Sequence, residues 1–193
     1  GIDIVGAIVI IALLAPLLAI TALAVKLTSR GPVLFRQPRY GYNRRRFPMF
    51  KFRTMVKDAE LRLTDLEHLN EAAGPVFKIR KDPRLTRIGG FLRSTSIDEL
   101  PQLFNVLLGH MSLVGPRPLP VRDVSRFSEA TLMRRFSVLP GMTGLWQVSG
   151  RSSLQFSDWI ALDLKYIDNW SLLEDLRILL ITVPVVLRGR GAM

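Results

Sequence analysis

The sequence contains no cysteine. Disulfides, thiolate nucleophiles and thiolate metal sites are therefore excluded. Histidine is almost as scarce, with only His68 and His110, so a histidine-rich zinc centre or a Ser-His-Asp triad would have little to draw on. Acidic residues are missing from one long stretch: residues 26–57 hold ten Lys or Arg and no Asp or Glu. The rest of the chain is nearly balanced, with 17 basic residues against 16 acidic. The net charge of +11 thus lies in one block, which points to a polyanionic partner: nucleic acid, anionic lipid or a phosphorylated substrate. Repeats and low-complexity linkers are also absent. At 193 residues the chain is long enough for one domain with a sizeable core. It begins at Gly1 rather than Met, as expected of a piece of a longer protein or of a processed product.

Residues 4–25 run without a charge. A straight helix of 22 residues would be about 33 Å long, matching the hydrocarbon core of a bilayer. No basic region precedes the run, so a signal peptide is a poor reading. Pro16 stands in its middle and leaves two halves of about 15–18 Å each, half a bilayer. Two topologies therefore stand: a helix that spans, and one that enters, bends at Pro16 and leaves on the same face. In the second, the basic block that follows sits at an anionic cytoplasmic surface.

Beyond the apolar run, alternation of polar and apolar residues on both sides of Gly41-Tyr42-Asn43 predicts a β-hairpin with strands at 33–37 and 47–52. Helical patterns cover 56–71, 121–137, 156–170 and 172–187, the last broken at Pro184. The stretch "PQLFNVLLG" reads as a helix stopped by Gly109. Three prolines in residues 116–120 exclude regular structure there, and 140–152 reads as a glycine-containing loop. The expected class is α-rich α+β, with a small β-hairpin and amphipathic C-terminal helices whose Trp159, Tyr166 and Trp170 suit either a membrane interface or a core.

The segment "SIDELPQL" puts two carboxylates, Asp98 and Glu99, side by side. Ser96-x-x-Glu99 matches a capping box, and Pro101 suits a first helical turn. A cap needs one carboxylate, however, and arginines surround this pair in sequence: Arg84, Arg87 and Arg93 before it, Arg117 between two prolines after it, and Arg151 beyond. Guanidinium forks match phosphate oxygens. A carboxylate at a helix start stays ionised and can serve as nucleophile or metal ligand. With no thiol and little imidazole, Asp and Glu are the available nucleophiles, and Mg²⁺ is the metal suited to oxygen ligands and substrate phosphates.

The runs "KFRTM" (51–55), "DPRLTRIGGFLRSTSIDELPQLFNVLLGHMSLVGPRP" (82–118), "PGMTGLWQVSGRS" (140–152) and "LDLKYIDNWSLLEDLRILLITV" (162–183) together resemble the bacterial sugar transferases, the monotopic phosphoglycosyl transferases. The resemblance covers essentially the whole chain, with the motifs in order. It implies transfer of a hexose-1-phosphate from a UDP-sugar to undecaprenyl phosphate with release of UMP, the first membrane step of exopolysaccharide, capsule or O-antigen synthesis. It further implies Asp98 as the nucleophile that forms a covalent phosphosugar intermediate, with Glu99 as its partner and Mg²⁺ at Asp98. Lys51, Arg93, Arg117 and Asp175 match positions that the family uses for activity; Arg151 is added as a phosphate or uridine contact. The implied architecture is a re-entrant helix-break-helix in residues 1–30, broken at Pro16 (here Ala15-Pro16 rather than Ser-Pro), and a catalytic domain in 31–193 on the cytoplasmic face of the bacterial inner membrane. The implied partners are a UDP-sugar of glucose or galactose, undecaprenyl phosphate and membrane lipid; a homo-oligomer is compatible, and nucleic acid has no place. The competing reading from the basic block alone is a membrane-anchored nucleic-acid-binding or scaffold module.

Overall fold

A computed structural model describes residues 1–71, 77, 79, 82–125, 130–150 and 154–187. The uncharged run becomes one helix, α1 (Ile2–Thr28), which continues through Pro16. The break expected at Ala15-Pro16 is not a break in secondary structure. Pro16 removes one donor, the partner of the Ala12 carbonyl, and the apolar residues on either side keep the helical path. Most of α1 is uncovered: only 11% of its most apolar window is buried, and Ile8, Leu13, Ile20 and Leu27 are exposed. By length and composition α1 can cross a membrane.

Both ends of α1 are held by the rest of the protein. At its start, the Asp3 carboxylate accepts hydrogen bonds from Leu113 N (3.0 Å) and Ser112 Oγ (2.9 Å). At its end, buried Arg53 donates to the Ser29 carbonyl (2.7 Å) and Ser29 Oγ (2.8 Å), and also to the Pro32 carbonyl. Arg53 thereby serves carbonyls that the last helical turn leaves without partners, and its charge suits the negative end of the dipole. Between the two clasps, Ala7 and Val25 are buried against the body.

The hairpin forms as expected, with β1 (Leu34–Tyr40) antiparallel to β2 (Arg46–Phe52). Arg39 pairs with Phe47, Gln37 with Met49 and Phe35 with Lys51, so these six side chains share one face. That face is the inward one, since Phe47 and Met49 belong to the core. After the hairpin, residues 61–69 form a 3-10 helix in place of the expected α-helix; none of its residues is buried and Leu61 and Leu69 stay exposed, so no tertiary packing supports a longer helix there.

Four short helices follow: α2 (Gly89–Ser94), α3 (Gln102–Leu107), α4 (Val121–Val124) and α5 (Leu145–Ser149). The stop after α3 is as read: Gly109 takes φ 72°, where a residue with a Cβ is strained. Of the predicted 121–137 helix, α4 and a 3-10 stretch (Ala130–Ser137) form; residues 126–129 lie outside the described residues. The loop expected over 140–152 is more ordered than its glycines suggest. Within it, β4 (Gly141–Thr143) pairs in parallel with β3 (Ser112–Val114). The pairing requires Gly141, because a Cβ there would stand 2.0 Å from Gly115 N. Finally α6 (Phe156–Asp168) and α7 (Leu172–Leu187) close the fold. Helix α7 continues through Pro184 and is not broken there. The core joins α1, β2, α3, β3, α6 and α7 through Ala7, Met49, Leu103, Leu113, Tyr166 and Ile178.

Candidate active site

Alternation along β2 turns Lys51 to the inward face with Met49. The strand is fixed from its other edge by Asn105 of α3, whose side chain accepts from Phe50 N (2.9 Å) and donates to the Pro48 carbonyl (2.8 Å). Asn105 is fully buried, so this cross-link sets strand against helix at the level of Lys51.

The carboxylate pair lies between α2 and α3. Helix α2 ends, Ser96 takes the left-handed region (φ 58°), and Ile97–Glu99 form a single 3-10 turn. The expected capping box is not made: Ser96 has no side-chain cap bond, and the Glu99 carboxylate is engaged elsewhere. A left-handed Ser96 cannot offer the extended geometry that an N-cap needs. Instead, the unfavourable φ turns the chain so that the two acids diverge. Glu99 accepts from Lys51 Nζ (2.7 Å) and from Arg117 Nη2 (2.6 Å) and Nη1 (3.2 Å). Burial raises its pKa, but Arg117 and Lys51 together more than reverse this and hold it well below the ordinary glutamate range. Asp98 is 5% exposed and accepts no hydrogen bond among the described residues. Burial dominates there, the Glu99 charge adds to it, and nearby Lys51, Arg93 and Arg117 oppose it; the carboxyl is pushed up to about 6. The expectation that a helix start would hold Asp98 low is therefore corrected, because a three-residue turn has little dipole to offer and burial outweighs it. One carboxylate is locked and ionised, while its neighbour is buried, unshared and poised near neutrality.

Arg117 is itself positioned. Its backbone carbonyl accepts from Arg135 Nη2 (2.8 Å), and its guanidinium lies 5.7 Å from the Trp146 ring centroid. Arg135 is ion-paired with Asp163 of α6 (2.6 Å) with both side chains 1% exposed. This buried pair was not anticipated from the sequence, and neither was Arg39. Arg39 is buried on the inward face of β1, donates to the Pro118 carbonyl (2.9 Å) and to Gln37 Oε1 (2.5 Å), and faces the same site. The signal for Arg39 was available: it is in phase with Phe35 and Gln37, the inward positions of the strand. Nothing local marks Arg135 or Asp163, since their partnership depends on how α6 docks.

Lys51, Arg93, Asp98, Glu99 and Arg117 all line one groove of about 1090 Å³. Its wall includes apolar side chains of the lipid-length helix and the last helix, Ile10, Leu179 and Val186. Asp175 is not among the lining residues. It accepts from Tyr166 Oη (2.7 Å) and Trp170 Nε1 (3.1 Å), tying α7 to α6, and burial raises its pKa. Arg151 lies outside the described residues. No cluster of three metal-ligating side chains occurs among the described residues. The free Asp98 carboxylate is nevertheless compatible with Mg²⁺, which is often held by one or two carboxylates plus substrate phosphates.

Residues 1–189 match the bacterial sugar transferase family. The chain belongs to that family. Among its relatives, the galactosyl transferase CpsE of Streptococcus agalactiae is 50% identical over 163 residues, 84% of this chain and 36% of that protein. The undecaprenyl-phosphate glucose phosphotransferase of Komagataeibacter xylinus is 43% identical over 98% of this chain and 36% of its own length. The exopolysaccharide production protein ExoY of Rhizobium meliloti is 38% identical over 98% of this chain and 85% of its own length. The chain thus spans little more than a third of the first two relatives and most of the third.

Proposed function

We propose that this bacterial sugar transferase moves a hexose-1-phosphate from a UDP-sugar to undecaprenyl phosphate and releases UMP. The observation that carries the reading is the division of labour in the dyad: Glu99 is bound to Lys51 and Arg117, and buried Asp98, unshared among the described residues, lies in a groove walled by α1 and α7. An Asp98 oxygen attacks the phosphorus that bears the sugar. The bond from that phosphorus to the bridging oxygen breaks, and UMP leaves with its electron pair. The product on the enzyme is an acyl phosphodiester, the phosphosugar on Asp98. An oxygen of undecaprenyl phosphate then attacks the same phosphorus and displaces the Asp98 carboxylate, giving the lipid diphosphate sugar. Donor and acceptor use the site in turn, which is what covalent catalysis allows. Lys51, Arg93 and Arg117 supply fixed positive charge for the phosphate oxygens. Mg²⁺ held at Asp98 would add further neutralisation of phosphate charge.

A re-entrant α1 fits this reading and the two clasps. A spanning helix would carry Asp3 to the far side of the bilayer, yet Asp3 bonds Ser112 and Leu113 in the body that also holds Ser29 through Arg53. One body gripping both ends supports entry and exit on one face, the cytoplasmic one, where UDP-sugars are available; the turn would be a bend at Pro16 within a continuous helix, proline being a common cause of a helix kink. Relatives named for glucose and for galactose make UDP-glucose or UDP-galactose the expected donor. The nucleic-acid module is not favoured: Arg39, Lys51 and Arg53 of the basic block turn inward to the site and to the end of α1.

Asp98→Asn is expected to abolish UMP release from the UDP-sugar, and intact mass should show a phosphosugar adduct on the wild-type protein before lipid is added. Wild-type turnover by Asp98→Asn would end the assignment of the nucleophile.

A further inference from the structure

Arg39 is a buried cation that forms no ion pair of its own among the described residues. It is 9% exposed. Two of its five N–H groups are used, on the Pro118 carbonyl and Gln37 Oε1, and Nε is buried without a partner. Its nearest opposite charges are already committed: Asp123 to Arg122, and Glu99 to Lys51 and Arg117. Two other buried arginines face carboxylates, Arg84 at Asp82 and Arg135 at Asp163; Arg53 does not, but it is spent on the carbonyls at the end of α1. Burial lowers the Arg39 pKa to about 9, with Arg117 adding to the effect, so the group remains charged at neutral pH. A desolvated guanidinium with open donors is costly unless an anion completes it.

The charges around the dyad agree. Lys51, Arg39, Arg93 and Arg117 face Asp98 and Glu99, which leaves two positive charges in excess. A nucleoside diphosphate sugar brings two negative ones.

We infer that Arg39 binds a phosphate group of the substrates, through the donors its two protein partners leave open. This rests on the transferase reading above. The chemistry, a phosphate oxygen on a guanidinium fork, has two sources here: the UMP-side phosphate of the donor and the head group of the acceptor lipid. A purely structural role is the alternative, because the bond to Pro118 also ties β1 to the segment that carries Arg117. A strap of that kind would affect every ligand alike, whereas a phosphate contact would not.

The test uses the full chain in lipid nanodiscs, with Arg39→Gln and Arg39→Lys. Affinities for uridine and UMP are measured by titration calorimetry, and the KM for undecaprenyl phosphate by UMP release. If Arg39 holds the donor phosphate, Arg39→Gln leaves uridine binding unchanged and weakens UMP at least tenfold. If it holds the acceptor phosphate, UMP is unchanged and the KM for the lipid rises at least tenfold. Arg39→Lys, which keeps charge but loses the fork, falls between; should Arg39→Gln not fold, the lysine variant carries the test through a several-fold loss on one phosphate ligand with uridine unaffected. Equal weakening of uridine, UMP and lipid, or no change in any of them, overturns the assignment. Absence of the Asp98 adduct on the wild-type protein would instead strike the transferase reading, and this assignment with it.

Discussion

At the scale of single residues, Asp98 carries a cost to stability. Folding raises its pKa from 3.8 to about 6, so the folded state holds the proton better than the unfolded chain does. The cost of burying the carboxylate is therefore absent below about pH 4 and fully present above about pH 6. Asp98→Asn carries no charge and avoids it. In metal-free buffer, thermal unfolding at about pH 7.5 should show the variant more stable by on the order of 2 kcal/mol, with the gap closing near pH 4. In wild type, adduct formation should fall about tenfold per pH unit below about pH 6, as the ionised fraction falls. A gap that did not narrow on acidification would contradict the burial argument. The Arg135–Asp163 pair makes the opposite case. Removing one member leaves the other charge buried and alone, so Asp163→Ala should destabilise the fold by about 3–5 kcal/mol and loosen Arg117, read as a lower denaturation midpoint. The dyad and Lys51 were legible from the sequence because their motifs are local. The lock on Glu99 was not, because it joins residues 48 and 18 positions apart.

At the scale of elements, the hairpin, α3 and α6 were readable, while the long patterns at 56–71 and 121–137 did not become the α-helices expected of them. The hairpin, α6 and the stop at Gly109 follow from alternation, from an apolar stripe and from one glycine. The three-residue strands β3 and β4 carry too few positions to show a period, and their pairing is set by the close approach of Gly141 to Gly115. The two prolines expected to break helices do not interrupt α1 or α7. Each removes a single hydrogen bond, and α7 stays helical even though β-branched Thr182, Val183, Val185 and Val186 surround Pro184. The topology of α1 can be read from the lack of cysteine, since any introduced thiol is unique. Gly1→Cys and Arg44→Cys, the latter exposed at the hairpin tip, should both react with an impermeant maleimide only from the cytoplasmic side. Labelling of position 1 from the opposite side would establish a span.

At the scale of the whole molecule, the charge of +11 is divided between two tasks. Arg39, Lys51 and Arg53 turn inward, while Arg44, Arg45 and Arg46 stay exposed at the hairpin tip. Composition alone showed one basic block; only the register of β1 and β2 separates its inward members from its solvated ones. The donor sugar is a property of the whole groove, and a UMP-release panel of UDP-sugars should give the highest kcat/KM with UDP-glucose or UDP-galactose. A clear preference for another UDP-sugar would redirect the specificity reading without touching the dyad.

The clasp on Asp3 has a consequence for how the protein is made. Asp3 and Leu113 are 110 positions apart, so α1 leaves the ribosome long before β3 exists to receive it. The other end of α1 meets its partners much sooner: Arg53 is only 24 positions from Ser29, and Phe52 and Leu92 cover Val25. The two clasps therefore close in the order of synthesis, the one at Ser29 well before the one at Asp3.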